Sequence, residues 1–307
     1  MTLDANLLLQ AASHAAAGQQ YPKGALYLVA TPIGNLADLT LRAIHVLALS
    51  DIVACEDTRV TARLLQHLGL EKRLMSVHQH NEAGSASDII DALQQGLRVV
   101  YVSDAGTPAV SDPGAHLVAQ VQAVGLRAVP IPGVSSATTA LSVSGDTLSA
   151  AFHFAGFLPA KGAQRAHALD AALAWPGSIV FFEAPHRIAD LLKDLHKALA
   201  AERRVTVCRE LTKQFEEVAT VTAGGLNAWL QADSNRERGE FVVVVHAAPS
   251  TDQAADLSPE VQTLLQTLAA HLPIKQAAGL VADVTRLPRK QLYEQALQWR
   301  QDQQSED

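Results

Sequence analysis

"VSDAGTPAVSDPG", residues 102–114, places two aspartates, two prolines and two glycines directly behind the apolar run Val99–Val102. A run of that length and β-branched content reads as a buried strand. Glycine and proline immediately after it shape a loop whose main chain can approach a ligand closely. Asp104 would then supply an acceptor or a counter-charge, whereas Asp112, ahead of Pro113 and Gly114, reads as the cap of a following helix that Gly125 stops.

Outward from this stretch the same unit repeats. Apolar runs near 25–30, 51–55, 74–78, 98–102 and 127–131 alternate with amphipathic segments, such as one capped by Thr40 and one capped by Ser87 that ends at Gly96. That rhythm predicts an α/β fold. After Gly145 the strands fall near 151–157, 178–183, 204–209, 216–222 and 240–246, with helices near 163–174, 187–200 and 223–232. We expect a flexible leader over 1–23, two α/β domains over 24–145 and 146–248, a linker over 249–258, and a small helical module over 259–301. Polar residues gather behind the strands of the first half: Thr31, Pro32, Gly34 and Asn35; Glu56, Asp57 and Arg59; His78, His80, Asn81 and Glu82; Ser103 to Thr107; Gly133, Ser135 and Ser136. In open α/β sheets ligands bind beyond the carboxyl ends of strands, so one cleft built from several loops is predicted.

Composition excludes several classes. The chain has 307 residues and a net charge of −7, so bulk attraction to a polyanion is absent and any nucleic-acid contact needs local basic patches. Cys55 and Cys208 are the only cysteines, too few and too far apart for a disulfide framework or a structural zinc, which suits a reducing cytoplasm. The uncharged stretch from Ala128 to Gly145 is interrupted by Pro, Gly and Ser and reads as a buried soluble segment, so no membrane role is expected. The first loop has a single glycine where a dinucleotide fingerprint needs three, and neither a Walker-type lysine nor a Gly-x-Ser-x-Gly elbow occurs. His78 and His80 would make at most half of a metal site, and no metal is expected.

Seven ordered segments, LVATPIGNLADLTLRA (28–43), ACEDTR (54–59), VSDAGTPAVSDPG (102–114), PIPGVSSATTAL (130–141), FFEAPHRI (181–188), CRELTKQFEE (208–217) and GEFVVVV (239–245), together resemble the tetrapyrrole methylase superfamily, and within it the branch that methylates small-subunit ribosomal RNA. The resemblance implies two α/β domains with S-adenosyl-L-methionine in the cleft between them, and a homodimer. It implies cofactor contacts at Pro32 and Gly34, at Ser103, Asp104, Ala105, Gly106 and Thr107, at Ser135, Ser136 and Ala137, and through main chain near Ala155 and Val243. Where the superfamily often has Gly-Asp-Pro in the middle loop, this chain has Asp-Ala-Gly-Thr-Pro. The implied reaction is 2′-O-methylation of a cytidine in the 16S rRNA decoding centre, with 16S rRNA or the small ribosomal subunit as partner. The alternatives are a small-molecule methylase of the same superfamily and a non-catalytic ribosome-assembly RNA-binding protein.

Methyl transfer to a ribose hydroxyl needs alignment and is helped by a base. Glu56, Asp57, His78, Glu82, Glu183 and His186 are the candidates. Asp57, Arg59 and Glu183 are taken as catalytic residues without assigned roles, with Asp57–Arg59 equally readable as a structural ion pair. Lys161, Arg165 and Arg187 near second-domain strand ends, and Arg289 and Lys290 at a helix start in the terminal module, are the expected RNA contacts; a helical cap or dimer element is the competing reading of that module.

Overall fold

The computed structural model describes residues 5–77, 82–248, 257–285 and 287–305. The chain forms two compact units, Met1–Ala247 and Ala248–Asp307. The first holds two five-stranded sheets. It begins with helix α1 (Ala5–Ala16) and continues through β1 (Ala25–Val29), α2 (Leu41–Leu49), β2 (Ile52–Cys55), α3 (Thr58–His67), β3 (Arg73–Ser76), α4 (Glu82–Gln94), β4 (Val99–Val102), α5 (Ala115–Ala123), β5 (Arg127–Ile131) and α6 (Ser136–Ser144). The five strands pair in the order β3-β2-β4-β1-β5, every pair parallel. Helices cover both faces, which is why β2 and β4 are buried at every position and read as unbroken apolar runs. One face packs Leu47 and Leu65 against Tyr27, and the other packs Ile89 and Leu117 against Leu26 and Tyr101. Each fully buried aliphatic side chain of this kind contributes about 1.5–3 kcal/mol.

The second sheet comprises β6 (Phe152–Phe157), β7 (Ser178–Glu183), β8 (Arg204–Arg209), β9 (Glu217–Thr222) and β10 (Phe241–Val245), in the order β6-β7-β10-β8-β9. Only β6–β7 is parallel. Helices α7 (Ala163–Leu173), α8 (Ile188–Ala198) and α9 (Leu226–Gln231) supply the core on one face of this sheet. On the other face Ala137 and Ala140 of α6 pack against Val180, Val242 and Val244. A helix that follows the first sheet in sequence thus covers the second, and this joins the two halves into one unit.

The Ala248–Asp307 unit contains α10 (Pro259–His271), α11 (Ile274–Thr285) and α12 (Arg289–Ser305) around its own core of Leu265, Ala277, Val281 and Leu292. Ser258 caps α10, with Pro259 in its first turn. Among the described residues no helix is long and apolar enough to cross a membrane.

Three local expectations are corrected. The stretch taken as a flexible leader contains α1, whose Ala12 is fully buried against the first core. Ser87 lies inside α4 rather than at its cap. Helix α5 starts at Ala115 with Gly114 as its N-cap at φ 122°, two positions after the expected cap Asp112; a Cβ on Gly114 would meet the Tyr101 ring. His78, His80 and Asn81, as well as most of the 249–258 stretch, lie outside the described residues.

Candidate active site

The carboxyl ends of β1, β2 and β4 point the same way, and their loops are fastened together. Thr31 and Gly106 exchange both backbone hydrogen bonds at 2.9 Å. Thr31 Oγ1 donates to the Ser103 carbonyl at 3.1 Å, and Thr107 Oγ1 donates to the Val134 carbonyl at 3.0 Å. The loop that follows carries unusual backbone: Gly106 has φ 80°, and Ala109 and Ser111, which are not glycines, have φ 65° and 68°. Ala109 and Ser111 each cost about 1–3 kcal/mol in that conformation, strain that persists where the surroundings over-determine the loop.

This strained loop walls a cavity of about 500 Å³, within the size range of small-molecule and cofactor sites. Asp104 to Thr107 and Ser135–Ser136 form one side; Phe157, Phe182 and Val242 of the second sheet form the other. The Phe157 and Phe182 rings meet edge to face, with centroids 5.6 Å apart. Ser135 caps α6 without a side-chain hydrogen bond, so first-turn N–H groups of that helix are available to an anionic group. Glu56, Asp104 and Asp112 also face the cavity. Burial, reinforced by the charges of Asp104, Asp112 and Asp57, pushes the Glu56 carboxyl above its ordinary value. Burial and Asp104 do the same to Asp112, against a hydrogen bond with Ser103. Such carboxylates favour a cationic occupant, which relieves their mutual repulsion.

The expected site residues divide. Asp104, Ala105, Gly106, Thr107, Ser135 and Ser136 come together on the cavity, with Asp112 beside them instead of capping a helix. Pro32, Gly34 and Ser103 border a neighbouring groove that shares Asp104 with the cavity. Ser103 is buried, its hydroxyl directed at the carbonyls of Ala105 and Gly106. Ala137 is spent on packing against the second sheet. Val243 turns into the opposite core by strand alternation, which leaves Val242 on the cavity. A bulge between Phe154 and Gly156, with Gly156 at φ 61°, turns Ala155 toward that same opposite core and places Phe157 on the cavity.

Asp57 is the N-cap of α3, accepting from the Arg59 backbone at 2.8 Å while its carboxylate also takes two bonds from the Arg59 side chain, at 3.0 and 2.6 Å. These bonds hold its carboxyl down to about 2, which makes it a poor proton acceptor. Glu183 borders the cavity, with its side chain buried and paired to Arg165, 3.4 Å away, and Arg187, 3.2 Å away, a setting that favours a structural part for it. The same ion pairs engage Arg165, which is buried, and Arg187, which is partly exposed. Arg165 also binds Asp194 at 3.1 Å, and Arg187 donates to the Leu158 carbonyl at 2.6 Å. Lys161 is exposed. In the terminal unit Lys275, Arg289, Lys290 and Tyr293 line a hollow of about 440 Å³.

Sequence reasoning did not find Phe182, Leu211 or Glu240 as cavity residues, nor the reach of Lys213 across the crevice. Lys213 pairs with Glu210 at 2.8 Å and Glu240 at 3.0 Å, and its aliphatic stem lies where a Cβ on Gly34 would sit. The outward alternation of FFE in β7 was the available signal for Phe182. Glu210 and Thr212, at φ 51° and 67°, mark the Lys213 loop as strained, which the sequence does not signal.

Residues 25–227 match the family model for tetrapyrrole (corrin/porphyrin) methylases, and residues 255–300 match that of the RsmI C-terminal HTH domain. The ribosomal RNA small subunit methyltransferase I of Pseudomonas aeruginosa is 45% identical over 275 residues, 90% of this chain and 97% of that protein. The protein of the same name from Neisseria meningitidis serogroup A is 45% identical over 293 residues, 95% of this chain and 98% of that one. A cobalt precorrin-4 methyltransferase superposes with a TM-score of 0.53 at 17% identity, covering 74% of this chain and 98% of that one. A uroporphyrin-III-C-methyltransferase from Thermus thermophilus superposes with a TM-score of 0.50 at 22% identity, covering 73% and 94%. The chain belongs to the tetrapyrrole (corrin/porphyrin) methylase family, together with the ribosomal RNA small subunit methyltransferase I proteins.

Proposed function

We propose that the protein is an S-adenosyl-L-methionine-dependent methyltransferase of small-subunit ribosomal RNA, acting in the cytoplasm as a homodimer on the ribose 2′-hydroxyl of a cytidine in 16S rRNA. The observation that carries the reading is the cavity lined by carboxylates, by an open helix start and by an apolar wall from the second sheet, in a chain 45% identical to ribosomal RNA small subunit methyltransferase I proteins over nine-tenths of its length. The donor set suits a molecule with a cationic centre, a carboxylate and an aromatic base. Glu56, Asp104 and Asp112 answer the positive charge, the first turn of α6 answers the carboxylate, and Phe157 with Phe182 offers an apolar wall to the base.

When bound, S-adenosylmethionine supplies a methyl group on a sulfonium, open to in-line displacement. The chain's own part is chiefly alignment, which can contribute about 7–11 kcal/mol to such a reaction. The Thr31–Gly106 and Thr107–Val134 bonds hold the donor loops rigid, and the apolar wall limits water. Glu56, whose carboxyl is raised above its ordinary value by burial and by the neighbouring carboxylates, is better suited than Asp57 to take a proton from the acceptor. The basic hollow of the terminal unit is the proposed RNA grip outside the cavity, with Arg289 and Lys290 on its rim and Lys275 and Tyr293 beside them.

The test is transfer of labelled methyl from S-adenosylmethionine to small subunits purified from a strain lacking the gene, followed by ribose-methylation mapping. A single 2′-O-methylcytidine in 16S rRNA is expected. Label on a tetrapyrrole but not on the subunit would favour the small-molecule alternative.

A further inference from the structure

The cavity described above has a neighbour that the proposed function does not use. A groove of about 260 Å³ runs between the loop after β1 and helix α3. Asp104 borders both hollows, so the groove and the cavity share a wall. Along the loop the residues alternate: Ile33 faces the cavity, while Pro32 and Gly34 face the groove. Methyl transfer requires the acceptor oxygen about 3–3.5 Å from the methyl carbon, so the acceptor's own subsite must adjoin the donor's.

The groove also has the chemistry of a nucleotide site. Leu36 on one bank is 47% exposed and Val60 on the other 38%, an apolar pair left open to solvent. On α3, Arg59 and Arg63 stand four residues apart and so share a helix face. Arg59 is taken by Asp57. Arg63 borders the groove, is exposed, and among the described residues enters no ion pair. A guanidinium at the rim of an apolar slot matches a phosphate next to a base or sugar.

We infer that the groove between the 31–36 loop and helix α3 is the acceptor-nucleotide subsite for the RNA strand, with Arg63 holding a backbone phosphate and Leu36 and Val60 flanking the nucleoside. This rests on the rRNA reading above and adds the place and the residues. Because Arg63 contacts the acceptor strand and not the donor, its loss acts on RNA affinity and leaves the donor site intact.

The experiment measures methyl transfer to unmethylated small subunits by wild type, Arg63→Glu, Arg63→Lys and Val60→Asp, with S-adenosylmethionine affinity followed by calorimetry on the same full-length proteins. Loss of a charge-assisted phosphate contact corresponds to roughly tenfold or more in affinity. Arg63→Glu and Val60→Asp are expected to raise KM for the subunit by at least that factor, with donor affinity within twofold of wild type and Arg63→Lys recovering part of the loss. Both substituted positions are exposed, and the donor titration reports that each variant is folded. A KM for Arg63→Glu equal to that of an active wild type overturns the subsite alone, as does a loss of donor affinity parallel to the rise in KM. Absence of transfer by wild type overturns the rRNA reading and the subsite with it.

Discussion

Asp104 Oδ1 accepts the backbone N–H of Asp57 at 3.0 Å, so the loops behind two adjacent strands, β4 and β2, are joined by a carboxylate that also borders the cavity. Hydrogen bonds to charged groups contribute about 1.5–3 kcal/mol. Asp104→Ala removes the tie and one negative wall at once, and its affinity for S-adenosylmethionine is expected to fall at least about tenfold. Asp104→Asn, whose amide oxygen can still accept from Asp57, should recover part of it. Calorimetry checks the order; an Asp104→Ala variant that binds as wild type does would remove this residue from the donor site.

Glu56 gives a pH-dependent prediction. Its carboxyl is raised from an ordinary value of 4.5, first by burial and then by Asp104, Asp112 and Asp57. A raised carboxyl means the folded state holds the proton more tightly than the unfolded chain does, so ionisation of Glu56 lowers stability above its folded pKa and has no effect below the ordinary value. Glu56→Gln should therefore melt above wild type near pH 7.5, with the gap closing as the pH falls below the ordinary carboxyl range. The same variant should bind the cationic donor several-fold more weakly, because one facing negative charge is gone. Melting curves across pH and one titration decide it; equal melting at pH 7.5 would contradict the assignment.

Arg165 is expected to behave as a structural residue. Its side chain is 9% exposed and that of its partner Glu183 is fully buried. Removing one member of a buried pair costs about 3–5 kcal/mol. Arg165→Ala should lose stability on that scale in urea unfolding, while the KM for RNA of the folded fraction stays unchanged. A stable variant with a raised KM would return Arg165 to the RNA surface.

Gly34 and Lys213 should be coupled although they lie 179 positions apart in the sequence. The Lys213 stem, fixed by Glu210 and Glu240, fills the space that a Cβ on Gly34 would need. Overpacking of this kind costs about 1–3 kcal/mol. Gly34→Ala should be destabilising in wild type and less so in a Lys213→Ala background, where only the cost of its backbone at φ 155° remains. A double-mutant cycle measures the difference, and additive effects would refute the contact.

The sequence was most legible where local rules govern. The apolar runs before Thr31, Glu56 and Ser103 fixed the strands of the first sheet, and the clustering of polar residues behind them located the cavity, because parallel strands bring their carboxyl ends to one side. The Asp104 and Ser135 loops could be found in this way. Long-range pairing was not legible. Glu183, Arg165 and Arg187 looked like separate functional charges because the sequence does not show that they meet in a buried cluster. The choice of Val242 over Val243 depended on which face of β10 meets α6, and the Phe154–Gly156 bulge shifted the register of β6 by one residue. Asp112 is not the cap because a helix start two residues later, at Gly114, is as compatible with Asp-Pro-Gly as a start at the aspartate itself.

The all-parallel pairing of the first sheet, with its functional loops gathered at one rim, separates the scaffold from what it carries. Insertions or exchanges in the loops behind β1, β2 and β4 leave the strand ladder intact, so the rim can be recut without rebuilding its staves. Divergence among such proteins should therefore concentrate at this rim and spare the apolar ladder beneath it.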